Sequence, residues 1–281
     1  MTTSSNPLSK HFRQPALYVK PPSGGKYWKS GSLELTATGE MAVYPMTTKD
    51  EIILRTPDAL VNGTSVVQVI ESCCPSVKNA WDMPSIDVDA TLIAIRIASY
   101  GNKMPMEAKC TKCGEDNEYD LELQSILARI ESPNYDTPIK TADGLLIKLK
   151  PMTYDQVSKS GVISLEEEKL IQALANPELE DEVRKAEYDK HVKKMIELNI
   201  ENVAYCTESI TADGQVVTDF EFIKEYYENA DSSVMRQVRA HIDECSSIAG
   251  IKPQDTVCNE CGHEFKLSVE FDYSNFFAKG F

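Results

Sequence analysis

Four of the eight cysteines fall into two copies of one short pattern. Cys110-Thr111-Lys112-Cys113-Gly114 lies mid-chain, and Cys258-Asn259-Glu260-Cys261-Gly262 lies near the end. Two thiolates separated by two residues reach one tetrahedral ion at about 2.3 Å only where the backbone turns tightly. The glycine after each second cysteine supplies such a turn, because it takes positive φ without steric cost. Four thiolates from two such knuckles make a closed, structural zinc shell with no open position for chemistry. The spacing therefore nominates Cys110, Cys113, Cys258 and Cys261 as ligands of one structural Zn2+, with 144 residues between the knuckles. Cys-x-x-Cys is also the pattern of a redox dithiol, although neither copy sits between a strand and a helix in the thioredoxin manner. Buried unpaired thiols are the remaining alternative. His263 could replace one cysteine as a ligand, but a place beside the ligands or in solvent suits it better. Cys73 and Cys74 read as small apolar residues ending a helix.

No other constellation for chemistry emerges. The histidines are His11, His191, His241 and His263, and no metalloprotease, nucleophile-elbow or dinucleotide motif surrounds them. Gly25-Lys26 lacks the rest of a phosphate loop. The chain reads as a non-enzyme. Its net charge of −15, from 44 acids and 29 bases, argues against nucleic acid, whose phosphates need clustered cations. A zinc-ribbon nucleic-acid adaptor would have only Lys109 and Lys112 near one knuckle, and Lys252 and Lys266 near the other. No apolar run approaches 18 residues and no leader is evident, so no membrane span is expected and a reducing cytosol suits synthesis. The charge is uneven. Lys10, Arg13, Lys20, Lys26 and Lys29 all precede the first acid, Glu34. A solvated, flexible arm is one reading; Phe12, Leu17, Tyr18, Val19, Tyr27 and Trp28, which accompany the cations, favour the other, an arm docking on an acidic partner or a neighbouring copy.

The elements around the knuckles indicate an α+β fold: a helical body with short β-hairpins and a split zinc ribbon. Residues 1–32 form an extended basic N-terminal arm, since Pro7, Pro15, Pro21 and Pro22 oppose helix. Residues 33–103 form an α+β N-terminal domain. It starts with a hairpin over 33–45 turning at Gly39-Glu40. Helices follow at 48–54 after Thr47, from Thr56-Pro57-Asp58 to Asn62, from a Thr64 cap to Cys73, and over 85–100. Residues 104–123 and 254–272 supply the two halves of the ribbon. Residues 124–253 are a mainly helical insertion with hairpins, turning at Asp143-Gly144 and Asp213-Gly214. Within it, Thr153 and Gln156 make a capping box, Ser164 caps a further helix, and Asn176-Pro177 breaks it. The next helix groups Tyr188, Val192, Met195, Ile196, Ile200 and Val203 on one side. Asp231 caps the last. Residues 273–281 are an aromatic C-terminal tail with Phe276 and Phe277, suited to packing on the body or a partner.

Several segments carry a resemblance. Leu8-Ser9-Lys10-His11-Phe12-Arg13-Gln14-Pro15, Tyr44-Pro45-Met46-Thr47 through Leu60, Asp89 through Arg96, both knuckles and Phe276-Phe277 resemble the baseplate hub proteins of T-even-type contractile-tailed bacteriophages. The likeness covers most of residues 8–123 and 254–278, whereas 151–250 diverge. The resemblance implies a virion structural protein of the tail baseplate, assembled in the host cytoplasm. It would join hub and wedge proteins, and touch hub, spike or wedge neighbours in a symmetric multi-copy assembly. Some relatives are regarded as hub assembly factors, so a transient baseplate hub assembly chaperone, absent from the mature virion, is the alternative.

Overall fold

The computed structural model describes residues 6–55, 63–174, 181–269, 276 and 277. Leu17–Val19 form β1, which pairs antiparallel with β2 (Met41–Val43), Leu17 opposite Val43. The alternation at 33–37 predicts a different partner for β2. The Gly39 turn does form, at φ 76°, but Leu33 leaves it to bridge Val77. Leu17 and Val19 take the vacant edge, because their side chains reach the core that buries Met41 and Val43.

Helix α1 (Thr48–Leu54) starts from a Thr47–Asp50 capping box, each side chain accepting the other residue's backbone N–H. Helix α2 runs Thr64–Cys73, but its N-cap is Gly63 at φ 76° rather than Thr64. A Cβ at Gly63 would stand 2.6 Å from Ser158 Oγ and 3.2 Å from the Tyr154 ring, so close approach as well as backbone angle requires glycine there. The helix predicted from Thr56 to Asn62 lies outside the described residues. Helix α3 (Ser85–Tyr100) is the axis of the first core, burying Leu92, Ile93 and Ile95. Each such side chain stabilises the fold by about 1.5–3 kcal/mol relative to exposure. Gly101 ends it at φ 90°. Then come β3 (Lys103–Lys109), β4 (Asp116–Glu122) and the short α4 (Leu123–Leu127).

A second core lies around a four-stranded antiparallel sheet of β5 (Ile139–Lys140), β6 (Leu146–Leu149), β7 (Thr207–Ala212) and β8 (Gln215–Val217), in that order. Its outer pairs are the two Asp-Gly hairpins, joined where Ile147 faces Ile210. Asp213 and Gly214 both take positive φ, as a two-residue hairpin turn demands. Between the hairpins the chain goes out along α5 (Tyr154–Leu174) and back along α6 (Asp181–Tyr205). Ser160 bonds Asn202, and Glu167 bonds His191, so the two helices are antiparallel. Thr153 and Gln156 start α5 as the capping box predicts. Ser164 does not cap a new helix: α5 continues through Gly161 and Ser164, since one glycine costs only about 1 kcal/mol. The Asn176-Pro177 break lies outside the described residues. Helices α7 (Phe220–Asn229) and α8 (Ser232–Ala249), capped by Asp219 and Asp231, cover the sheet with Ile223, Tyr227 and Val238. Strands β9 (Gln254–Val257) and β10 (Glu264–Leu267) then return the chain to the first core, where Leu267, Val269, Phe276 and Phe277 are buried.

The basic arm is held by its own chain. Arg13 donates to the carbonyls of Pro45 and Ser72, each at 2.7 Å, and lies 3.3 Å from Asp50. Buried Asp87 accepts from Ser23 N–H at 2.7 Å, Ser23 Oγ at 2.5 Å and Trp28 Nε1 at 2.9 Å. Asp82 takes Ser32 Oγ at 2.7 Å and Lys29 Nζ at 2.6 Å. The acids that this part of the arm meets are therefore intramolecular, because buried carboxylates need partners and the arm supplies them. Leu8, Phe12 and Tyr18 stay exposed.

Candidate metal centre

Each knuckle is the tip of an antiparallel hairpin. The last pair of β3–β4 is Lys109 opposite Asp116, and that of β9–β10 is Val257 opposite Glu264. The two tips repeat one hydrogen-bond scheme. Cys110 N–H donates to Glu115 O and Cys258 N–H to His263 O, both at 2.9 Å. Gly114 N–H returns to Cys110 O and Gly262 N–H to Cys258 O, both at 3.0 Å. The glycines lie at φ 76° and 66°, the left-handed region their position requires.

The fold brings these tips face to face. The four sulfurs of Cys110, Cys113, Cys258 and Cys261 lie within 4.8 Å of one another. Cys110 Sγ is 3.7 Å from Cys261 Sγ, and Cys113 Sγ is 3.7 Å from Cys258 Sγ. That is far beyond a disulfide's length of about 2.05 Å. It matches the edge of a thiolate tetrahedron, since a metal–sulfur bond of about 2.3 Å sets the sulfurs about 3.8 Å apart. The donor set and its spacing thus fit a zinc ion. Cys110 and Cys258 are buried, while Cys113 and Cys261 are exposed.

The backbone N–H of Cys261 pulls the Cys258 thiol down to about 6, and that of Cys113 lowers Cys110. At Cys113 the N–H of Glu115 acts in the same sense, but the neighbouring sulfurs, Cys261 foremost, push it up to about 12. Crowded thiols resist becoming four thiolates together unless a cation stands among them.

Contacts beyond the sulfurs join the hairpins. Tyr119 Oη lies 3.3 Å from Val257 O, and its ring meets Phe265 edge-on at 6.3 Å. Buried Asn117 on β4 donates to Cys258 Sγ at 3.6 Å and accepts the backbone N–H of Asn259 at 2.9 Å. Sequence reasoning missed Asn117, because an asparagine in an alternating strand gives no sign of which loop it will face. His263 stacks on Phe265 at 6.3 Å, outside the sulfur cluster.

The other singled-out side chains stand apart from this centre. His191 Nδ1 is 2.7 Å from buried Glu167, which Lys194 also meets at 2.6 Å. His241 lies 3.5 Å from Glu244 on α8. Cys73 and Cys74 are buried free thiols, pushed well up by burial. No helix among the described residues is long and apolar enough to cross a membrane.

No curated protein and no solved structure matches the chain. Residues 19–278 match the family model described as T4 bacteriophage base plate protein, so the chain belongs to the T4-type phage baseplate family, a protein of the virion's tail baseplate that works among other phage tail proteins.

Proposed function

We propose that this baseplate protein is a non-enzymatic structural component at or near the central hub, joining hub and wedge proteins, and that one zinc ion staples its body. The observation that carries the staple is the pair of 3.7 Å sulfur–sulfur edges, each between one knuckle and the other. On this reading Cys110, Cys113, Cys258 and Cys261 hold the ion, and it contributes rigidity, not turnover, because a four-thiolate shell leaves no site for substrate. It closes residues 114–257 into a loop. The hub placement rests on the likeness of residues 8–15, 44–60 and 89–96 to hub proteins. The exposed Leu8 and Phe12, ahead of the docked part of the arm, suit an interface completed on assembly.

A peptide census of purified mature tails tests the placement. The expected result is this chain in fixed ratio to hub proteins. Its presence in infected cells together with absence from mature tails would overturn permanent membership and assign it the role of an assembly chaperone.

A further inference from the structure

Helix α6 is periodic enough to predict a buried face, yet only Leu198, Val203 and Ala204 of it are buried. Tyr188, Val192 and Ile196, spaced four apart, remain 54%, 37% and 54% exposed. Residues four apart advance roughly 40° around a helix, so these three form one continuous ridge. The adjoining face is occupied: His191, Lys194 and Asn202 all reach across to α5. The ridge lies beside that contact and stays partly exposed along its length.

The residue after each ridge position is charged. With Lys185 one turn earlier, Asp189, Lys193 and Glu197 make a flanking row of alternating sign, plus, minus, plus, minus. All four are exposed, and none joins an ion pair among the described residues. This row complements itself when reversed. Turned end over end about its midpoint, Lys185 meets Glu197 and Asp189 meets Lys193.

We infer that the Tyr188–Val192–Ile196 ridge of α6 pairs with the same ridge of a second copy of this chain, antiparallel about a twofold axis near Val192. A twofold contact is self-complementary: if residue i meets j, then j meets i. An antiparallel pair brings each flanking row opposite its own counterpart, and the alternation then yields four cross-helix ion pairs. A parallel pair would turn each row towards the α5 side of its neighbour, where Lys194 and His191 already engage Glu167. With α5 behind each α6, the two hairpins complete a four-helix bundle, the usual way for two-helix units to bury such ridges. This pairing rests on the helix face alone and stands whether or not the hub placement holds.

Sedimentation velocity of the full zinc-loaded chain across the micromolar range tests it. The wild type should be dimeric, and Val192→Glu with Ile196→Glu should be monomeric. Reversing half the row, Lys185→Glu with Asp189→Lys, sets like charges against each other at every cross-helix pair and should weaken the dimer roughly tenfold or more. Adding Lys193→Glu and Glu197→Lys restores the alternation and should restore the dimer, which also shows that substitution at these positions leaves the fold intact. A wild type that stays monomeric assigns the ridge to a different protein and overturns the inference. So does a dimer indifferent to the ridge substitutions, or one in which half and full reversal behave alike.

Discussion

The Asn117 side chain, on one hairpin, donates to the Cys258 sulfur of the other at 3.6 Å. Its carbonyl oxygen accepts from Asn259 N–H at 2.9 Å, and Nδ2 also lies 3.0 Å from Glu115 O. One amide therefore ties both knuckles together without being a ligand. Groups in this position hold ligands in place, and losing them typically costs tenfold to hundredfold in metal affinity. Asn117→Ala should bind zinc roughly tenfold to hundredfold more weakly in competition with a chromophoric chelator, with stoichiometry kept at one ion. Unchanged affinity would make Asn117 a packing residue only.

Removing the metal should lower the stability of the folded chain, because zinc binds the site that the fold assembles and its binding free energy adds to that of folding. A chelated sample should unfold at distinctly lower urea concentration than the zinc-loaded one. Because each knuckle holds half a shell, Cys110→Ser and Cys258→Ser should each lose most of the bound zinc in elemental analysis. Either variant retaining a full, tightly held equivalent rules out the shared site.

Two of the arm's anchors, Asp87 and Asp82, should respond to pH with opposite signs. Burial pushes the Asp87 carboxyl up to about 6. An acid raised in the folded state is costly to keep ionised there, so its contribution improves as pH falls from 7 through 6 towards its unfolded value near 4. At Asp82, burial acts upward but is outweighed by Lys29, Ser32 and Asn79, which hold it below the usual carboxylate range. Its stabilising contribution is present above the unfolded value and is lost as pH falls through the folded one. In urea titrations, the wild type minus Asp87→Asn difference should therefore shift in favour of wild type by about 3 kcal/mol between pH 7 and 4. Thiolate protonation, common to both chains, cancels in the difference. A flat difference across that range would mean that Asp87 titrates normally.

Local chemistry made much of this fold legible. The Thr47 cap, the Thr153 box, the Asp231 cap, the Asp-Gly turns and the apolar run of α3 each depend on a few adjacent residues, and each lies where the sequence places it. The proximity of the knuckles was legible for a related reason: cysteine pairs with a following glycine have few other uses. What escaped reading is non-local. Nothing near residues 33–37 shows that β2 will prefer Leu17–Val19, and nothing near Ser164 shows that the box at Thr153 has already started its helix. The ridge at Tyr188 shows the limit of periodicity, which marks a face as apolar without saying whether the cover comes from the same chain.

Arg96 and Phe276 close the C-terminal end of the first core. Arg96 sits in the apolar run of α3 with 1% of its surface exposed. Its Nη1 donates to the carbonyl of Phe276, and its guanidinium lies 5.2 Å from the Phe276 ring centre and 5.4 Å from that of Tyr100. Burial lowers its affinity for the proton, but a guanidinium keeps its charge at any ordinary pH. The cation therefore stays buried, offset by two ring faces and one backbone oxygen. Arg96→Met roughly preserves volume while removing the donor and the cation, and should destabilise the chain by about 1–3 kcal/mol. Arg96→Lys keeps the charge but loses the planar stack on both rings, so it should rescue only part of that loss. The local consequence is release of Phe276 and Phe277 from the core. Hydrogen exchange at these two residues should accelerate well before exchange along α3. Uniform acceleration across the whole chain would instead make Arg96 a general packing element with no special hold on the C-terminal phenylalanines.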